Sequence, residues 1–390
     1  MNSVKKRFDY LWLMFFIIIF INGFEAGGYQ ASMLGIGNDF DLSNTTKGLY
    51  ASVELFATML APIILGGWAD RTGKVKSIII LLLVEFVAAI VIFFTVTQDL
   101  FVVCVFFLGL TTSALQFITI AALADSYPIT SKKKIGFMTA MYAFGAFVAP
   151  LVVKSYLAIG LHWRTLFAFL AVGSFVAFVG VFTSGSEPRE VAVDVSSGDT
   201  KPVNKGRFIL VGILLLCLIM CIYVGFENGF AYFVDTFFDS ILMDDRGKFA
   251  LSLFWAIMIP ARVLVGYFSK YVRTILFVAV CVIPFTTIFI SNAPSGMTAL
   301  LLCIPLGLAS GAIYPCVLSI MLGFAGNKTG TATGMITTAT GIGGFAFTAL
   351  TGFLADKLGL RLAIISLAGF FILSLIAVIL TGKIEKNEFN

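Results

Sequence analysis

Two copies of the string Gly-Phe-Glu-x-Gly place single glutamates inside long apolar runs of this chain. The first copy is 23–27, with Glu25, and the second is 225–229, with Glu227. A carboxylate in hydrocarbon costs about 3 kcal/mol on insertion scales, so an acid at that depth is a candidate for binding a proton or a substrate. The glycines of both copies also form small-xxx-small pairs that let helices pack closely, but packing does not explain the glutamates.

Composition indicates that the solvent around these runs is lipid. The chain has 390 residues, of which 59% are hydrophobic and 12% charged, with a mean hydropathy of +1.01. A soluble domain carries about 25% charged residues. A helix needs about 20 apolar residues to cross a bilayer, and continuous apolar runs favour helices over a barrel. The runs predict twelve transmembrane helices, at roughly 10–34, 46–68, 77–97, 100–123, 135–155, 164–184, 208–237, 249–268, 273–291, 297–324, 331–354 and 362–381.

Composition and motifs also exclude several functions. A soluble enzyme is excluded, and no nucleophile–base constellation or G-x-x-x-x-G-K-[ST] nucleotide loop is present. All six cysteines fall in apolar runs without metal or disulfide spacing, so we expect buried thiols, no metal and no cofactor. The net charge of +5 does not indicate nucleic-acid binding, because the basic residues lie in every second loop between the predicted helices.

Most of the 26 basic residues flank the predicted helices on one side of the membrane. They precede helix 1, lie between helices 6 and 7, and follow helices 2, 4, 8, 10 and 12. Cytoplasmic loops carry an excess of Lys and Arg. We therefore predict an integral inner or plasma membrane protein with both termini in the cytoplasm.

The chain divides into two similar halves. A segment at 185–206, rich in Gly, Ser, Pro and charge, predicts a cytoplasmic linker between six-helix bundles at 1–184 and 207–390. Matching residues recur about 200 positions apart, for example Gly109 with Gly307 and Gly145 with Gly343. This spacing predicts a parallel repeat, which is a transporter architecture with its substrate site between the halves near the midplane.

The loop between helices 2 and 3 has a specific sequence. It reads Gly-Gly-Trp-Ala-Asp-Arg-Thr-Gly-Lys-Val-Lys over 66–76, which resembles the signature G-x-x-x-D-R-x-G-R-K of the major facilitator superfamily, with Lys in place of the final Arg-Lys pair. With the 6+6 repeat, the resemblance covers essentially the whole chain. It implies an all-α membrane protein with the major facilitator fold. It also implies that Gly66, Asp70, Arg71 and Gly73 latch one conformation of a rocker-switch cycle.

Two other strings in the second half relate to this loop. The equivalent position, 266–270, has lost the acid, so the latch is expected to be one-sided. The string at 352–359 looks like a further copy, but its place between helices 11 and 12 puts it on the outer side. We interpret it as a turn.

The resemblance also suggests which polar residues face a cavity. Helices 1 and 7 line the central cavity in this family, so Glu25 and Glu227 are expected to face it. The remaining candidates for a proton or substrate site are Asn22, Tyr29, Gln30, Glu54, Gln116, Tyr142, Tyr223, Asn228, Tyr232 and Tyr314. Helix 3 is peripheral in the family, so Glu85 is expected to be structural. Arg262 lies inside helix 8, where it either extends to the cytoplasmic face, which is the favoured interpretation, or pairs with an acid.

These features favour a secondary active transporter that moves a small polar neutral or cationic solute by alternating access, as a monomer in lipid and without nucleic acid. Proton-coupled uptake resembles the fucose-permease and sugar-like branch, and it is the interpretation adopted. Proton-coupled drug efflux is the alternative, although its branch typically shows G-x-x-x-G-P-x-x-G-G in helix 5, of which 145–154 keeps only the first Gly and the Pro. A receptor or scaffold on the same fold is the non-transporting alternative.

Overall fold

The computed structural model describes residues 10–127, 131–184, 208–326 and 328–389, apart from the side chains at 131–133, 135–136, 139, 330 and 386–389. Over these ranges the chain is almost entirely helical and contains no strand. Twelve helical segments are long and apolar enough to cross a membrane, which confirms the predicted number. The predicted linker at 185–206 lies outside the described residues.

Thirteen α-helices form the twelve spans, because the last span is divided at Phe370 into two helices. Their bounds are α1 Leu11–Asp39, α2 Asn44–Thr72, α3 Lys74–Phe94, α4 Gln98–Ser126, α5 Ser131–Ala158, α6 Thr165–Ser184, α7 Leu210–Ser240, α8 Gly247–Tyr267, α9 Val272–Ser291, α10 Gly296–Ala325, α11 Thr329–Leu358, α12 Leu360–Gly369 and α13 Phe371–Phe389. The helices α1 to α6 are called the first half below, and α7 to α13 the second half.

Several helix ends follow from local chemistry. Ser43 caps α2 by accepting a hydrogen bond from the Thr46 amide at 3.2 Å, as expected for a side-chain oxygen at the first turn. Gly73 and Gly359 end α2 and α11 with φ of 92° and 83°, a region that favours glycine. The helix α1 continues to Asp39, about a turn beyond the predicted end at 34.

The two halves repeat the same pattern of helix contacts. In the first half α1 packs on α5, α2 on α4, and α3 on both α4 and α6. In the second half the equivalent pairs are α7 with α11, α8 with α10, and α9 with α10, α12 and α13. This correspondence confirms the predicted parallel repeat of six spans.

Glycines at matching positions allow matching close approaches. A Cβ added at Gly109 on α4 would lie 2.4 Å from the carbonyl oxygen of Glu54 on α2. A Cβ added at Gly307 on α10 would lie 2.9 Å from the carbonyl oxygen of Phe254 on α8. The same residue type is therefore required at the same crossing in each half, which explains why these glycines recur in the sequence.

The halves meet mainly where α2 packs on α11, α5 on α8 and α1 on α7, with smaller contacts of α1 with α8 and of α2 with α7. The loop after α2 and the loops after α4, α8 and α10 lie on one side of the helices, called the basic face because it carries the basic loops of the sequence. The loops after α1, α3, α5, α7, α9 and α11 lie on the other side, called the opposite face.

Candidate functional site

A cavity of about 810 Å³ lies between the two halves. On α2 its lining runs from Glu54 to Gly66, and on α11 from Gly341 to Thr333. Gly66 and Thr333 are each within about two turns of the end of their helix at the basic face. The cavity is therefore open toward the basic face and ends blindly below the opposite face.

Most of the predicted site residues reach the cavity wall. The predicted residues that line it are Glu25, Gln30, Glu54, Gln116, Tyr142, Glu227, Asn228 and Tyr232. They come from both halves, from α1, α2, α4, α5 and α7. The cavity thus lies where two bundles of a parallel repeat are expected to hold a substrate.

Four predicted site residues do not line the cavity. Asn22 is fully buried and donates to the carbonyl oxygen of Thr112 at 2.9 Å, so it joins α1 to α4. Tyr29 is buried behind the wall, and Tyr223 lies behind Glu227. Tyr314, on α10, is 39% exposed and is not among the residues that line the cavity. None of the four lines the cavity, so their roles as site residues remain predictions.

Glu25 lies on the wall with almost no exposure. It is 1% exposed, and its Oε2 atom has no hydrogen-bond partner. Glu54 is close enough for the two carboxylate charges to repel each other. The charge of Glu85 acts on Glu25 as well, so two other acids influence Glu25.

Glu54 also joins the two halves. Its Oε2 accepts a hydrogen bond from the hydroxyl of Tyr232 on α7. The ring of Tyr232 packs edge-on against Tyr29, with centroids 5.7 Å apart and an interplanar angle of 81°. The second half therefore contacts Glu54 directly through Tyr232. A change in the charge of Glu54 acts on this contact between the halves.

Glu227 has different surroundings from Glu25. Its Oε2 accepts a hydrogen bond from Tyr223, one turn earlier on α7. Arg262 of α8 lines the same cavity, lies near the Tyr223 hydroxyl and acts electrostatically on Glu227. The expectation that Arg262 extends to the membrane surface is wrong, because its side chain is on the cavity wall beside an acid. The two repeated glutamates are thus chemically distinct.

Glu85 is separate from the cavity. It is fully buried between α3 and α6, where Ser174 donates a hydrogen bond to its Oε1 at 2.9 Å. It is absent from the cavity wall. This placement agrees with the structural role that we expected for Glu85.

Side-chain contacts between the halves close the blind end of the cavity. Trp255 Nε1 donates to Gln30 Oε1 at 3.0 Å and joins α8 to α1. Ser52 donates to the Phe345 carbonyl oxygen at 2.7 Å and joins α2 to α11. A third contact joins α8 to α5, where the hydroxyl of Ser252 donates to the carbonyl oxygen of Phe147 at 2.9 Å. These bonds hold the two halves together between the cavity and the opposite face.

Two polar contacts join the halves at the opposite face itself. Lys154 at the end of α5 forms an ion pair with Asp245 in the loop after α7, with Nζ and Oδ2 2.7 Å apart. The hydrogen bond and charge of Lys154 hold the pKa of Asp245 below its ordinary value. Asp356 binds the beginning of α2 through the backbone amides of Asn44 and Thr45.

The interpretation of 352–359 as a turn is wrong. Residues up to Leu358 continue α11, and the chain turns only at Gly359. The last turns of α11 bring Asp356 to the other half. The string lies on the face opposite the basic loops, as its place between helices 11 and 12 predicted, but the role of its acid depends on where α2 begins.

The signature loop lies on the open, basic face. Asp70 and Arg71 are both exposed, while Gly66 forms part of the cavity rim. Beside them Lys74 forms an ion pair with Asp125 at 2.5 Å. In the described part of the chain neither Asp70 nor Arg71 forms a hydrogen bond or an ion pair with the second half, so the latch role implied by the resemblance remains a prediction.

The residues that sequence reasoning missed are Trp255 and the polar side chains of α4 and α11. Serine and threonine of those helices line the cavity, at Thr112, Ser113, Thr333, Thr337, Thr338 and Thr340. The threonines of α11 could have been found from the sequence, since this apolar helix carries many Thr residues. Among the described residues no group of three or more His, Cys, Asp or Glu side chains suits a metal ion.

Comparison with known proteins identifies the family. Residues 15–348 match the family model described as Major Facilitator Superfamily. The glucose/mannose transporter GlcP of Bacillus subtilis (strain 168) is 23% identical over 281 residues, which are 68% of this chain and 67% of GlcP. Multidrug resistance protein 1 of the same organism is 24% identical over 332 residues, covering 82% of this chain and 83% of that protein.

A solved structure shows the same architecture. It is the inward-facing, unoccupied form of a bacterial homologue of the human lysosomal transporter Spinster, with a TM-score of 0.77, 14% identity and coverage of 98% of both chains. At this identity the likeness supports the fold alone. Because the family model spans most of the sequence, this chain belongs to the major facilitator superfamily and is a membrane transporter rather than an enzyme.

Proposed function

We propose that the chain is a proton-coupled symporter that takes up a small polar solute, neutral or cationic. The excess of Lys and Arg in its loops supports a cytoplasmic basic face. With that orientation the cavity is open to the cytoplasm and closed to the outside. The bundles predicted at 1–184 and 207–390 then rock about the cavity as a monomer, with lipid against the exposed apolar side chains of their outer surface.

The observation that carries the proton-coupling proposal is the pair Glu25 and Glu54. Both are buried on the wall of one cavity, and they lie close enough to repel each other. Two such carboxyls do not both ionise at low cost, so one of them holds a proton. A change in the protonation of Glu54 acts on the second half through the hydrogen bond from Tyr232. Protonation and the contact between the halves are thus coupled at one place.

The cavity chemistry supports a neutral or cationic polar solute. Three acids and one base line the wall, Glu25, Glu54, Glu227 and Arg262. This excess of acids disfavours an anion. Hydroxyl and amide groups such as Gln116 and Asn228 suit a polyhydroxylated molecule, which they can bind by hydrogen bonds. The relative GlcP, a glucose/mannose transporter, makes hexoses the first candidates.

Drug efflux is the second candidate function. Its support is the similarity to Multidrug resistance protein 1 over 82% of this chain, which exceeds the coverage of GlcP. Buried acids on a cavity wall also suit an organic cation, whose charge they complement. The two functions differ in the direction of proton movement, because a symporter carries the proton with the solute and an antiporter carries it against the solute.

The test uses proteoliposomes loaded with a pH-sensitive dye, with D-glucose, D-mannose and tetraphenylphosphonium added outside in turn. The symport proposal expects acidification of the lumen on addition of a hexose, and loss of that acidification in Glu25→Gln. Asp99→Asn is the control, because Asp99 is an acid that does not line the cavity and lies exposed in the first turn of α4. Expression and elution as a single species establish that each variant is folded.

Three results contradict the symport proposal. One is hexose entry without proton movement, and another is full proton coupling in Glu25→Gln. The third is proton efflux driven by tetraphenylphosphonium with no response to hexose, which supports the antiport function instead.

A further inference from the structure

Asp356 caps a helix of the other half. Its Oδ1 accepts from the Asn44 amide at 3.0 Å, and its Oδ2 accepts from the Thr45 amide at 2.8 Å. These are the first amides of α2, which have no partner within their own helix. A carboxylate at a helix N-terminus also interacts favourably with the helix dipole. One side chain thus satisfies two orphan donors across the boundary between the halves.

The backbones of α2 and α11 are in close contact next to this cap. A Cβ added at Gly352 would lie 2.2 Å from the carbonyl oxygen of Asn44, and one added at Gly48 would lie 2.8 Å from the carbonyl oxygen of Thr348. The geometry therefore requires α2 and α11 to touch at the opposite face. If the halves separate there to open the cavity, both bonds of Asp356 must break.

The same residue pattern occurs at both faces. Residues 352–359 read Gly-x-x-Ala-Asp-Lys-x-Gly, and residues 66–73 read Gly-x-x-Ala-Asp-Arg-x-Gly. Each string ends a helix at a glycine with positive φ. At the closed, opposite face the acid binds the partner half, while at the open, basic face Asp70 is exposed. The acid is thus bonded to the other half at the closed face and exposed to solvent at the open face.

We propose that Asp356 is a positioning residue that locks the opposite face shut and so sets the balance between the two access states. The lock acts through α2, which also carries Glu54, and it needs no contact with the solute. The proposal rests on transport by alternating access, but not on proton coupling or on the identity of the solute. Carboxylate capping of this kind predicts that Asp356→Asn increases the population open at the opposite face roughly 3- to 30-fold.

The experiment measures distances across the opposite face by double electron–electron resonance, in detergent without solute or pH gradient. Spin labels are attached at Leu161 and Met243, which are 47% and 83% exposed in loops of different halves. The labelled protein lacks the six native cysteines. Asp356→Asn keeps the side-chain shape, and it is expected to shift the distribution toward longer distances.

Asn44→Pro tests the same bond from its other end. Proline removes the amide that donates to Oδ1, and it suits the first position of a helix. Ser43 before it already has an extended backbone, with φ −63° and ψ 162°, as a residue before proline requires. This variant keeps the proposal testable if Asp356→Asn does not fold. Asp99→Asn is the control, an exposed acid at the same face in the first turn of α4.

Longer distances in Asp356→Asn and Asn44→Pro, with Asp99→Asn equal to wild type, support the lock. Distributions of both variants that match wild type overturn it. An equal shift in Asp99→Asn also overturns it, because the effect then follows surface charge rather than the cap. Since no solute or proton gradient is present, failure here leaves the symport proposal untouched.

Discussion

Replacing Gly352 by alanine tests how tightly the opposite face is closed. The added Cβ would lie 2.2 Å from the carbonyl oxygen of Asn44 and 3.1 Å from the Cα of Gly48. Carbon and oxygen atoms in close contact are about 3.3 Å apart, so the two backbones must separate by roughly 1 Å. Neither obstacle is a flexible side chain that can move away. Overpacking of this kind costs about 1–3 kcal/mol.

This cost falls on one conformation only, because the contact joins α2 to α11 at the closed face. The higher helix propensity of alanine, about 1 kcal/mol relative to glycine, is present in both access states and cancels. Gly352→Ala is therefore expected to raise the ratio of protein open at the opposite face to closed protein about 5- to 150-fold. The assay is the distance distribution between labels at Leu161 and Met243.

Gly323→Ala is the matched control, since a Cβ at Gly323 on α10 meets nothing within 4 Å. It is expected to leave the distribution unchanged. An unchanged distribution in folded Gly352→Ala refutes the reasoning, because the face would then be looser than the contact distances indicate. Loss of folding in Gly352→Ala refutes it as well, since opening of the face should relieve the clash.

Two further predictions concern packing within one half and the ion pair at the opposite face. Gly145→Ala places a Cβ 2.3 Å from the carbonyl oxygen of Phe20 inside the first half, a contact expected in both access states. It should lower the free energy of unfolding by about 1–3 kcal/mol, measured by denaturant titration, without changing the label distances. Lys154 depresses the pKa of Asp245, so the ion pair contributes above the ordinary carboxyl pKa and is lost as pH falls through the depressed one. The difference in label distances between wild type and Lys154→Gln should be constant above about pH 4 and vanish in stronger acid, and a difference that disappears near neutral pH contradicts this assignment.

The number of spans and the repeat could be predicted from sequence because both are local properties. A run of about 20 apolar residues is sufficient for a helix in lipid, where every backbone group must be bonded within its own segment. Matching glycines, such as Gly109 and Gly307, marked the repeat because a close backbone approach accepts no larger residue. The signature loop was recognisable for the same reason, as a short string with fixed turn chemistry.

The composition of the site was only partly predictable. An acid in an apolar run is a functional candidate because a charge in the membrane costs free energy, so Glu25, Glu54 and Glu227 could be found from the sequence. The direction of a side chain depends on the rotation of its helix within the bundle, which packing determines. Tyr314 is therefore absent from the cavity wall although its repeat equivalent Gln116 lines it, and Arg262 is on the wall although a surface position was expected.

The sequence by itself determined that this chain is a twelve-span membrane protein with buried acids in a duplicated architecture. Only the tertiary structure decided which groups meet across the halves, such as Tyr232 with Glu54 and Asp356 with the beginning of α2. The physical reason is that these contacts join residues distant in sequence and depend on which face of the cavity is closed. Apolar periodicity specifies a helix, but it does not specify which of two packings of the halves the helices adopt.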